Sequence, residues 1–402
     1  MNKKIGINAS MNQYLVDLDI SKINQYLSNQ KAEIERLLAD LVLQESPSLD
    51  CKAQQPVFQI LKTRLRQLNM HTFMVKGIKT GGCLYARPSH RLKDQPLQLL
   101  LGHCDTVWPK GTLRGMPFHK SENQISGPGV YDMKSGICQI IFALQTIRDL
   151  NIKMSVTPLV LINSDEEIGS HESTSTIRRL SKLSERIFVL EPPLGLEGKL
   201  KTARKGLGRF TIRIKGIPAH AGLDPAQGAS AIVELSLQIQ KLFAMNDPLK
   251  GITVNVGMIE GGTAVNVIAP TSKAIVDVRV LTQNDAVEIT RKIYNLEPVN
   301  PKTQIEVEGG IGRPPMEKTL RNQRLWGLAH AAGSKIGIQL EDGTAGGGSD
   351  GNTSSLFGAT LDGLGIVGDG AHASHEFIFM DKFYERTLLL ILLLSSNSIQ
   401  MK

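Results

Sequence analysis

Apolar residues along the chain occur both at helical spacing and in short continuous segments. Helical spacing predicts amphipathic helices over about 20–45, 56–68 and 137–150. Continuous apolar segments predict buried strands at 97–101, 159–163 and 186–190. Strands that alternate with helices are typical of an α/β sheet with helices on its faces.

The pattern changes after residue 205. Alternating apolar and polar positions over 208–216 predict a half-exposed strand. A helix, two strands, a helix and a last strand are expected at about 226–245, 252–259, 272–281, 285–295 and 303–308. This β-α-β-β-α-β order is ferredoxin-like. We therefore predict one α/β domain formed by 1–205 and 315–402, into which a ferredoxin-like domain, 206–314, is inserted.

Composition and charge are compatible with this organisation. A chain of 402 residues exceeds the size at which one hydrophobic core usually stops growing, which favours two domains. The net charge of +8 comes from scattered basic residues, without the Lys/Arg block that is typical of a nucleic-acid-binding arm. We therefore expect no nucleic-acid partner, whereas bound cations and an anionic substrate are both compatible with the charge.

Neither secretion nor membrane insertion is expected. Residues 1–20 contain no continuous apolar segment of the kind found in signal peptides. The longest apolar segment, 388–394, is too short to cross a bilayer. The four cysteines include no CxxC pair, which favours a reducing compartment. We expect a cytoplasmic protein that does not bind membranes.

Five places along the chain share one chemical feature. In each, a potential metal ligand follows a predicted strand or lies in a Gly-rich loop, and the residues are His103 with Asp105, Asp132, Glu166 with Glu167, Glu191, and His372. Sites in α/β proteins are built at the carboxyl ends of parallel strands. Two imidazoles and several carboxylates suit Zn²⁺ and related divalent ions.

Each of these residues also has a structural interpretation when taken alone. The acidic segment 164–169 could be a solvated turn, Asp132 could be a turn aspartate, and a single histidine after a strand is often structural. Five such coincidences together favour a metal site. A single ion would leave some of these carboxylates without a metal to bind, whereas two ions that share one bridging carboxylate would use all of them as ligands. Such a pair activates water for attack on a carbonyl, with a further carboxylate as proton acceptor.

Four segments in order along the chain, 102–107, 127–136, 164–169 and 190–192, strongly resemble the motifs of the co-catalytic zinc exopeptidase and aminoacylase family. Within it, the likeness is greatest to the bacterial glutamate carboxypeptidases of the folate-cleaving type. The resemblance covers nearly the whole chain. It implies a mixed sheet flanked by helices, with the inserted ferredoxin-like domain acting in dimerisation or as a lid.

The resemblance also implies roles for the candidate ligands. Asp132 would bridge two zinc ions, His103 and Glu191 would complete one site, and Glu167 and His372 the other. These ligand types also accept Co²⁺ or Mn²⁺. His372 is preferred over His375 because the family motif places an acid four residues after the histidine, where Glu376 lies.

Three more features near the metals follow from the resemblance. Glu166 would be the general base. Asp105 would support His103, and its place two residues further along an extended chain puts both side chains on one side. The peptide bond between Asp132 and Met133 is expected to be cis.

Further resemblances concern the substrate and a second subunit. His220, in Gly216–Gly222, matches a histidine that reaches the active site of the partner subunit and holds the oxyanion, which implies a homodimer. The substrate-binding residues implied are Lys199, Asn266, Arg279, Arg313 and Gly347, the last in a Gly-rich loop whose N–H groups could hold a carboxylate. For the basic residues, the alternative is a solvated surface charge.

Together these features predict a dizinc hydrolase. It would cleave an amide bond and release a C-terminal amino acid, expected to be glutamate, from a peptide or an N-acyl amino acid. One alternative is an aminoacylase, deacylase or dipeptidase that acts on neutral amino acids. Another is a non-catalytic metal-binding relative, although such a protein need not retain Glu166 or a complete ligand set, and this chain retains both.

Overall fold

The computed structural model describes residues 11–90 and 93–399. These form two compact units. The first contains the described residues of Met1–Thr202, Lys318–Thr344 and Ser349–Lys402, and the second contains Ala203–Glu317 and Ala345–Gly348. The boundaries predicted from the sequence, at 205/206 and 314/315, stay predictions. The signal-peptide expectation concerns in part residues 1–10, which lie outside the described residues.

Helices and strands are numbered separately in chain order. The helices are α1 Ile20–Asn29, α2 Lys31–Val42, α3 Cys51–Gln67, α4 Ser135–Asp149, α5 Thr174–Leu183, α6 Ala231–Phe243, α7 Gln283–Tyr294, α8 Leu320–Lys335, α9 Asp350–Ser354 and α10 Met380–Ser395. The strands are β1 Met70–Val75, β2 Cys83–Pro88, β3 Leu97–His103, β4 His119–Lys120, β5 Gln124–Ser126, β6 Thr157–Asn163, β7 Arg186–Val189, β8 Leu200–Arg204, β9 Gly206–Lys215, β10 Thr253–Gly261, β11 Thr271–Val280, β12 Gln304–Arg313, β13 Asp342–Ala345, β14 Ala359–Leu361, β15 Gly368–Asp369 and β16 Phe377–Phe379.

The first unit contains a six-stranded mixed sheet, as expected. Its order is β1-β2-β6-β3-β7-β14. The strands β6, β3, β7 and β14 are parallel, whereas β1 and β2 pair in antiparallel fashion. Every residue of β3 and β6 is buried. This explains their continuous apolar sequences, because parallel strands are covered on both faces.

Helices cover both faces of this sheet. Leu100 in β3 packs in one apolar cluster with residues of α4 and α10. Its neighbours Leu99 and Leu101 belong to a second cluster with residues of α5. This alternation follows from the two-residue repeat of a strand.

The register of the parallel strands assembles the site. His103 in β3 is paired with Asn163 in β6, and each is the last residue of its strand. Leu101 is paired with Val189, the last residue of β7. The segments after these three strands, which contain the candidate ligands, therefore start at the same edge of the sheet.

Two helices at the start of the chain differ from the prediction. The helix expected over 20–45 is two helices, α1 and α2, which meet at Gln30. The helix expected from 56 begins at Cys51, because Asp50 caps it by accepting a hydrogen bond from the Ala53 N–H (3.0 Å). Apolar spacing alone did not reveal either cap.

The second unit has the predicted ferredoxin-like order β9-α6-β10-β11-α7-β12. Its antiparallel sheet has the strand order β10-β11-β9-β12. The apolar positions of β9, such as Phe210 and Ile212, pack in one cluster with Leu235 of α6 and Ile289 of α7. The helices therefore cover one face of this sheet.

Two smaller sheets complete the fold. One pairs β13 with β8, and the other has the order β15-β16-β5-β4. In the latter, Phe377 pairs with Ser126, which brings the segments that flank these residues together. Among the described residues, no helix is long and apolar enough to cross a membrane.

Candidate metal centre

Five side chains form two groups that share Asp132. The first group is His103, Asp132 and Glu191, and the second is Asp132, Glu167 and His372. In each group the potential ligand atoms lie within 4.8 Å of one another. The structure therefore brings together all five residues that the sequence singled out as ligands.

The two oxygens of Asp132 face different groups. Oδ1 lies 3.2 Å from His103 Nε2, which is also 3.3 Å from Glu191 Oε1. Oδ2 lies 3.5 Å from His372 Nε2, which is 3.2 Å from Glu167 Oε2. A carboxylate in this arrangement can donate one oxygen to each of two cations.

The Asp132 segment is shaped by its backbone. The peptide bond between Asp132 and Met133 is cis, as expected. The Met133 Sδ accepts a hydrogen bond from the His103 N–H at 3.4 Å, which ties the segment to the end of β3. Gly129 has a φ of 74°, and a Cβ there would lie 2.4 Å from Thr106 Cγ2. Only glycine fits at this turn.

Asp105 links His103 to the acidic segment. His103 Nδ1 lies 3.0 Å from the backbone oxygen of Asp105 and 3.3 Å from its Oδ1. The fully buried Asp105 carboxylate also accepts hydrogen bonds from the N–H groups of Glu166 and Glu167, both at 3.2 Å, and from Ser48 Oγ at 2.7 Å. Nδ1 is thereby fixed, and Nε2 faces the ligand group.

The adjacent glutamates occupy one short helical turn that ends at Gly169, with a φ of 104°. Glu167 belongs to the second ligand group, whereas Glu166 belongs to neither. Within residues 11–90 and 93–399, the buried Glu167 Oε1 accepts no hydrogen bond. Asp165 instead accepts hydrogen bonds from the N–H groups of Glu172 and Ser173, at 2.7 and 3.1 Å.

The pKa values of the clustered ligands show that their carboxylates compete for the positive charge nearby. Burial raises the pKa of Glu167 to about 7. Hydrogen bonds to Asp132 and Glu167 raise the pKa of His372 to about 10. Burial opposes the charge on His103, yet hydrogen bonds to Asp105, Asp132 and Glu191 raise its pKa well above the ordinary value.

Burial by itself would raise the pKa of Asp132, but hydrogen bonds from the two imidazoles lower it below its usual range. The Asp132 carboxylate is therefore held ionised by the imidazoles beside it, whereas Glu167 lacks enough positive charge nearby to offset its burial. Divalent cations would supply that charge and bind imidazole and carboxylate together. Glu167 Oε1, which accepts no hydrogen bond from the part of the chain that the structure describes, offers one more ligand atom, so the donor set fits a pair of divalent ions.

The predicted residues of the second unit lie on loops and strand ends. His220 is exposed, and its Nδ1 accepts hydrogen bonds from the N–H groups of Gly222 and Leu223, at 3.2 and 3.1 Å. The neutral ring therefore holds its proton on Nε2. Asn266 is also exposed, and its backbone oxygen accepts a bond from the Ala221 N–H at 3.0 Å.

Arg279 and the Gly-rich loop lie together in this unit. Arg279 Nη1 donates to the Gly346 oxygen at 3.2 Å, while Nε and Nη2 donate to Asp277 at 2.7 and 3.1 Å. The exposed Gly347 lies in the same loop, and the buried Arg313 packs beside Gly348.

Lys199, by contrast, belongs to the first unit. Its Nζ lies 2.8 Å from Glu341 Oε2.

Two residues that organise the site were not among the predicted site residues. Ser48 bonds to Asp105, as described above. The fully buried Glu376 bonds to the backbone of Asp132. The acid four residues after His372 is a sequence signal for Glu376, but that signal served only to select the histidine.

Comparisons with known proteins agree with this arrangement. Residues 202–296 match the peptidase dimerisation domain of the M20 family. The chain is 30% identical to carboxypeptidase G2 of Pseudomonas sp. (strain RS-16) over 282 residues, which cover 68% of this chain and 67% of that protein. It is 27% identical to succinyl-diaminopimelate desuccinylase of Azoarcus sp. (strain BH72), over 83% of this chain and 92% of that one. A match to a probable carboxypeptidase of Arthroderma benhamiae, 30% identical over 58% of this chain, spans about half of that relative, 54%.

Solved structures show the same fold at lower identity. The aminopeptidase PepT of Bacillus cereus superposes with a TM-score of 0.78 at 20% identity, over 92% of this chain and 98% of that one. The YXEP protein of Bacillus subtilis, a dinuclear metal binding peptidase from the M20 family, has a TM-score of 0.67 at 15% identity, over 90% and 97%. The fold and site thus define a metallopeptidase-type α/β protein. The chain belongs to the M20 peptidase family.

Proposed function

We propose that this protein is a dizinc hydrolase that cleaves an amide bond and releases a C-terminal amino acid, preferentially glutamate, from a peptide or an N-acyl amino acid. The observation that supports this most directly is the Asp132 carboxylate, whose two oxygens face two separate ligand groups. Each group adds one imidazole and one further carboxylate, which is the ligand type that zinc accepts.

The ligand assignment follows the two groups. His103, Asp132 and Glu191 would hold one ion, and Asp132, Glu167 and His372 the other. When bound, the ions would polarise the scissile carbonyl and lower the pKa of a water molecule. Zn²⁺ is proposed, and Co²⁺ and Mn²⁺ would suit the same ligands.

Glu166 is assigned the proton transfer. It is a neighbour of the ligand Glu167 but stands outside both groups, and its N–H is held by Asp105. A carboxylate that is not a ligand can accept a proton from the attacking water and return it to the leaving amine. Asp105 fixes the His103 ring through Nδ1 and thereby directs Nε2 toward the ligand group.

The substrate carboxylate is assigned to the second unit. Arg279 lies beside Gly346, and Asp277 orients its guanidinium. Arginine is suited to a two-point contact with a carboxylate. We assign the α-carboxylate of the departing residue to Arg279 and the loop around Gly347, and the rest of the substrate to Asn266. Arg313 and Lys199 are assigned to its acidic side chain. The likeness to carboxypeptidase G2 supports this preference.

A homodimer is proposed on the second unit. Apolar side chains are exposed on the first turn of α6, on the edge strand β10 and on the loop that follows it, and they include Ile232, Val233, Met258, Ile259 and Val265. A groove of about 800 Å³ lies among several of them. Exposed apolar surface beside an unpaired strand edge favours association. The match to a dimerisation domain supports a second copy as the occupant. His220 of the partner subunit would then hold the oxyanion.

The proposed cellular location is the cytoplasm. The four cysteines are free thiols, and Cys83, Cys104 and Cys138 are buried. This supports a reducing compartment.

The activity can be tested by comparing N-acyl-glutamate with N-acyl-leucine as substrates of the purified protein, together with its metal content by mass spectrometry. We expect two divalent ions per chain, faster hydrolysis of the glutamate compound, and loss of turnover with a chelator that added zinc reverses. Fewer than two ions and no turnover on either compound would instead indicate a non-catalytic metal-binding protein.

A second candidate is a deacylase or dipeptidase for neutral amino acids. The broad match to a desuccinylase favours it, since that alignment covers more of this chain than the alignment with carboxypeptidase G2. Under this function, the leucine compound or an N-succinyl amine would be hydrolysed faster than N-acyl-glutamate.

A further inference from the structure

One buried carboxylate, Glu376, accepts hydrogen bonds from three different places near the ligands. Oε1 accepts from the N–H groups of Tyr131 and Asp132, at 2.8 and 3.0 Å. Oε2 accepts from the Gly129 N–H at 2.8 Å and from Trp108 Nε1 at 2.9 Å. Glu376 is completely buried. Burial raises the pKa of this carboxyl group, and the four N–H groups oppose that effect by replacing the water that the group loses.

The backbone of Glu376 closes the turn that directly follows His372. Its N–H donates to the Ala373 oxygen at 3.1 Å. Its own oxygen accepts a bond from the Gly127 N–H at 3.3 Å, next to the pairing of β16 with β5. Gly370, at a φ of 83°, packs against it, since a Cβ on Gly370 would lie 2.9 Å from the Glu376 N.

A single residue therefore connects two ligands that are far apart in sequence. The side chain of Glu376 accepts from the backbone N–H of Asp132, and its main chain closes the turn that directly follows His372. Asp132 Oδ2 and His372 Nε2, which lie 3.5 Å apart, thus belong to two segments that both contact Glu376. His103 ends the parallel strand β3, and Glu191 closely follows the end of the parallel strand β7, so the sheet itself places these two ligands.

We propose that Glu376 is a positioning residue that sets the affinity of the second metal group, Asp132 with Glu167 and His372, more than that of the first. This inference rests on the proposed metal centre. Residues that hold metal ligands in place without touching the metal typically alter metal affinity about 10-fold to 100-fold when they are replaced.

The sharpest variant is Glu376→Gln. It keeps the size of the side chain but replaces one acceptor oxygen by an NH₂ group, which cannot accept from the two N–H donors on that side. The matched control is Glu185→Gln. Glu185 is also buried and accepts bonds from the Ile399 N–H at 2.9 Å and from Ser398 Oγ, with no bond to a ligand segment among the described residues.

The measurement is a zinc titration of each metal-free protein in competition with a chromophoric chelator, with the melting temperature of the metal-free form as a second readout. Both variants are expected to melt below wild type. Only Glu376→Gln is expected to bind one of its two ions about 10-fold to 100-fold more weakly. Wild-type affinity for both ions in Glu376→Gln would overturn the proposal, and so would an equal loss in Glu185→Gln.

A third variant keeps the test decisive if Glu376→Gln does not fold. Trp108→Phe removes one donor and leaves the carboxylate with its three backbone N–H partners. We expect it to fold and to weaken the same ion by less than 10-fold, and unchanged affinity would then overturn the proposal. Failure of the metal centre itself would be visible separately, because wild type would bind no ion.

Discussion

Several of the residues expected to do chemistry differ in burial between the two units. In the first unit, His103, Asp105 and Glu191 are buried and held by several partners at once. In the second unit, His220 and Asn266 are exposed. A metal site requires its ligands to be held in place before the metal arrives, whereas residues that meet a substrate or a second subunit can remain exposed until that partner binds.

Charge is also handled differently in the two units. The buried carboxylates of the first unit face two imidazoles, and the arrangement is compatible with cations. The open face of the second unit's sheet instead places basic and acidic side chains side by side, as in the Arg213–Glu308 pair at 3.3 Å. Exposed pairs of this kind contribute about 0–1 kcal/mol. Substitutions of the buried site residues should therefore have larger effects than substitutions in exposed ion pairs.

The largest effect is expected for Glu166→Gln. The variant keeps the ligand set but removes the proton acceptor, so turnover should fall about 10²-fold to 10⁴-fold with both ions still bound. The measurement is kcat together with metal content. Near-normal turnover at full metal occupancy would rule out the proton transfer assigned to Glu166, and loss of metal would place Glu166 among the ligands.

Site residues were predicted best from the sequence where they lie at or directly after the end of an apolar strand. His103 and Glu191 were recognised because they follow continuous apolar segments, and the parallel register brings such strand ends together. Glu376 was not predicted as a site residue because its partners, Gly129 and Trp108, lie 247 and 268 residues away in sequence. No local pattern reveals such a contact.

Some strands, too, could not be predicted from the local sequence pattern. The strands β1 and β2 were not among the predicted elements. In β1, the apolar Phe73 and Val75 are exposed, so the apolar positions of this strand do not follow its burial. The ferredoxin-like order was predicted correctly because its half-exposed strands alternate regularly, as β11 does over ten residues. Periodicity in the sequence thus predicts regular helices and strands, whereas elements and contacts that depend on tertiary packing are not visible in it.

The next largest effect is expected for a substitution on the exposed apolar face of the second unit. Val233→Glu places a charge on the apolar face of α6, where Val233 is 60% exposed. We expect a monomer by light scattering. Turnover should fall about 10²-fold to 10³-fold, the usual cost of removing one oxyanion donor, because His220 of the partner subunit would be lost.

The matched control for that variant is Val287→Glu. Val287 is the same residue type in α7 and is 64% exposed, outside the groove. It should remain dimeric and active. A monomeric Val233→Glu protein with full turnover would separate His220 from the reaction, and a dimeric Val233→Glu protein would place the interface elsewhere.

The smallest effect is expected for Lys199→Ala. Glu341, 2.8 Å away, already pairs with the Lys199 ammonium and raises its pKa, and both side chains are exposed. A substrate carboxylate would have to displace this partner, so the preference for N-acyl-glutamate over N-acyl-leucine should fall by no more than about 5-fold, as for an exposed ion pair. Arg313→Ala should reduce the preference more, because Arg313 is buried beside the Gly-rich loop. If the ratio of kcat/KM values is unchanged in both variants, neither residue reads the acidic side chain, and the glutamate preference would have to come from other residues.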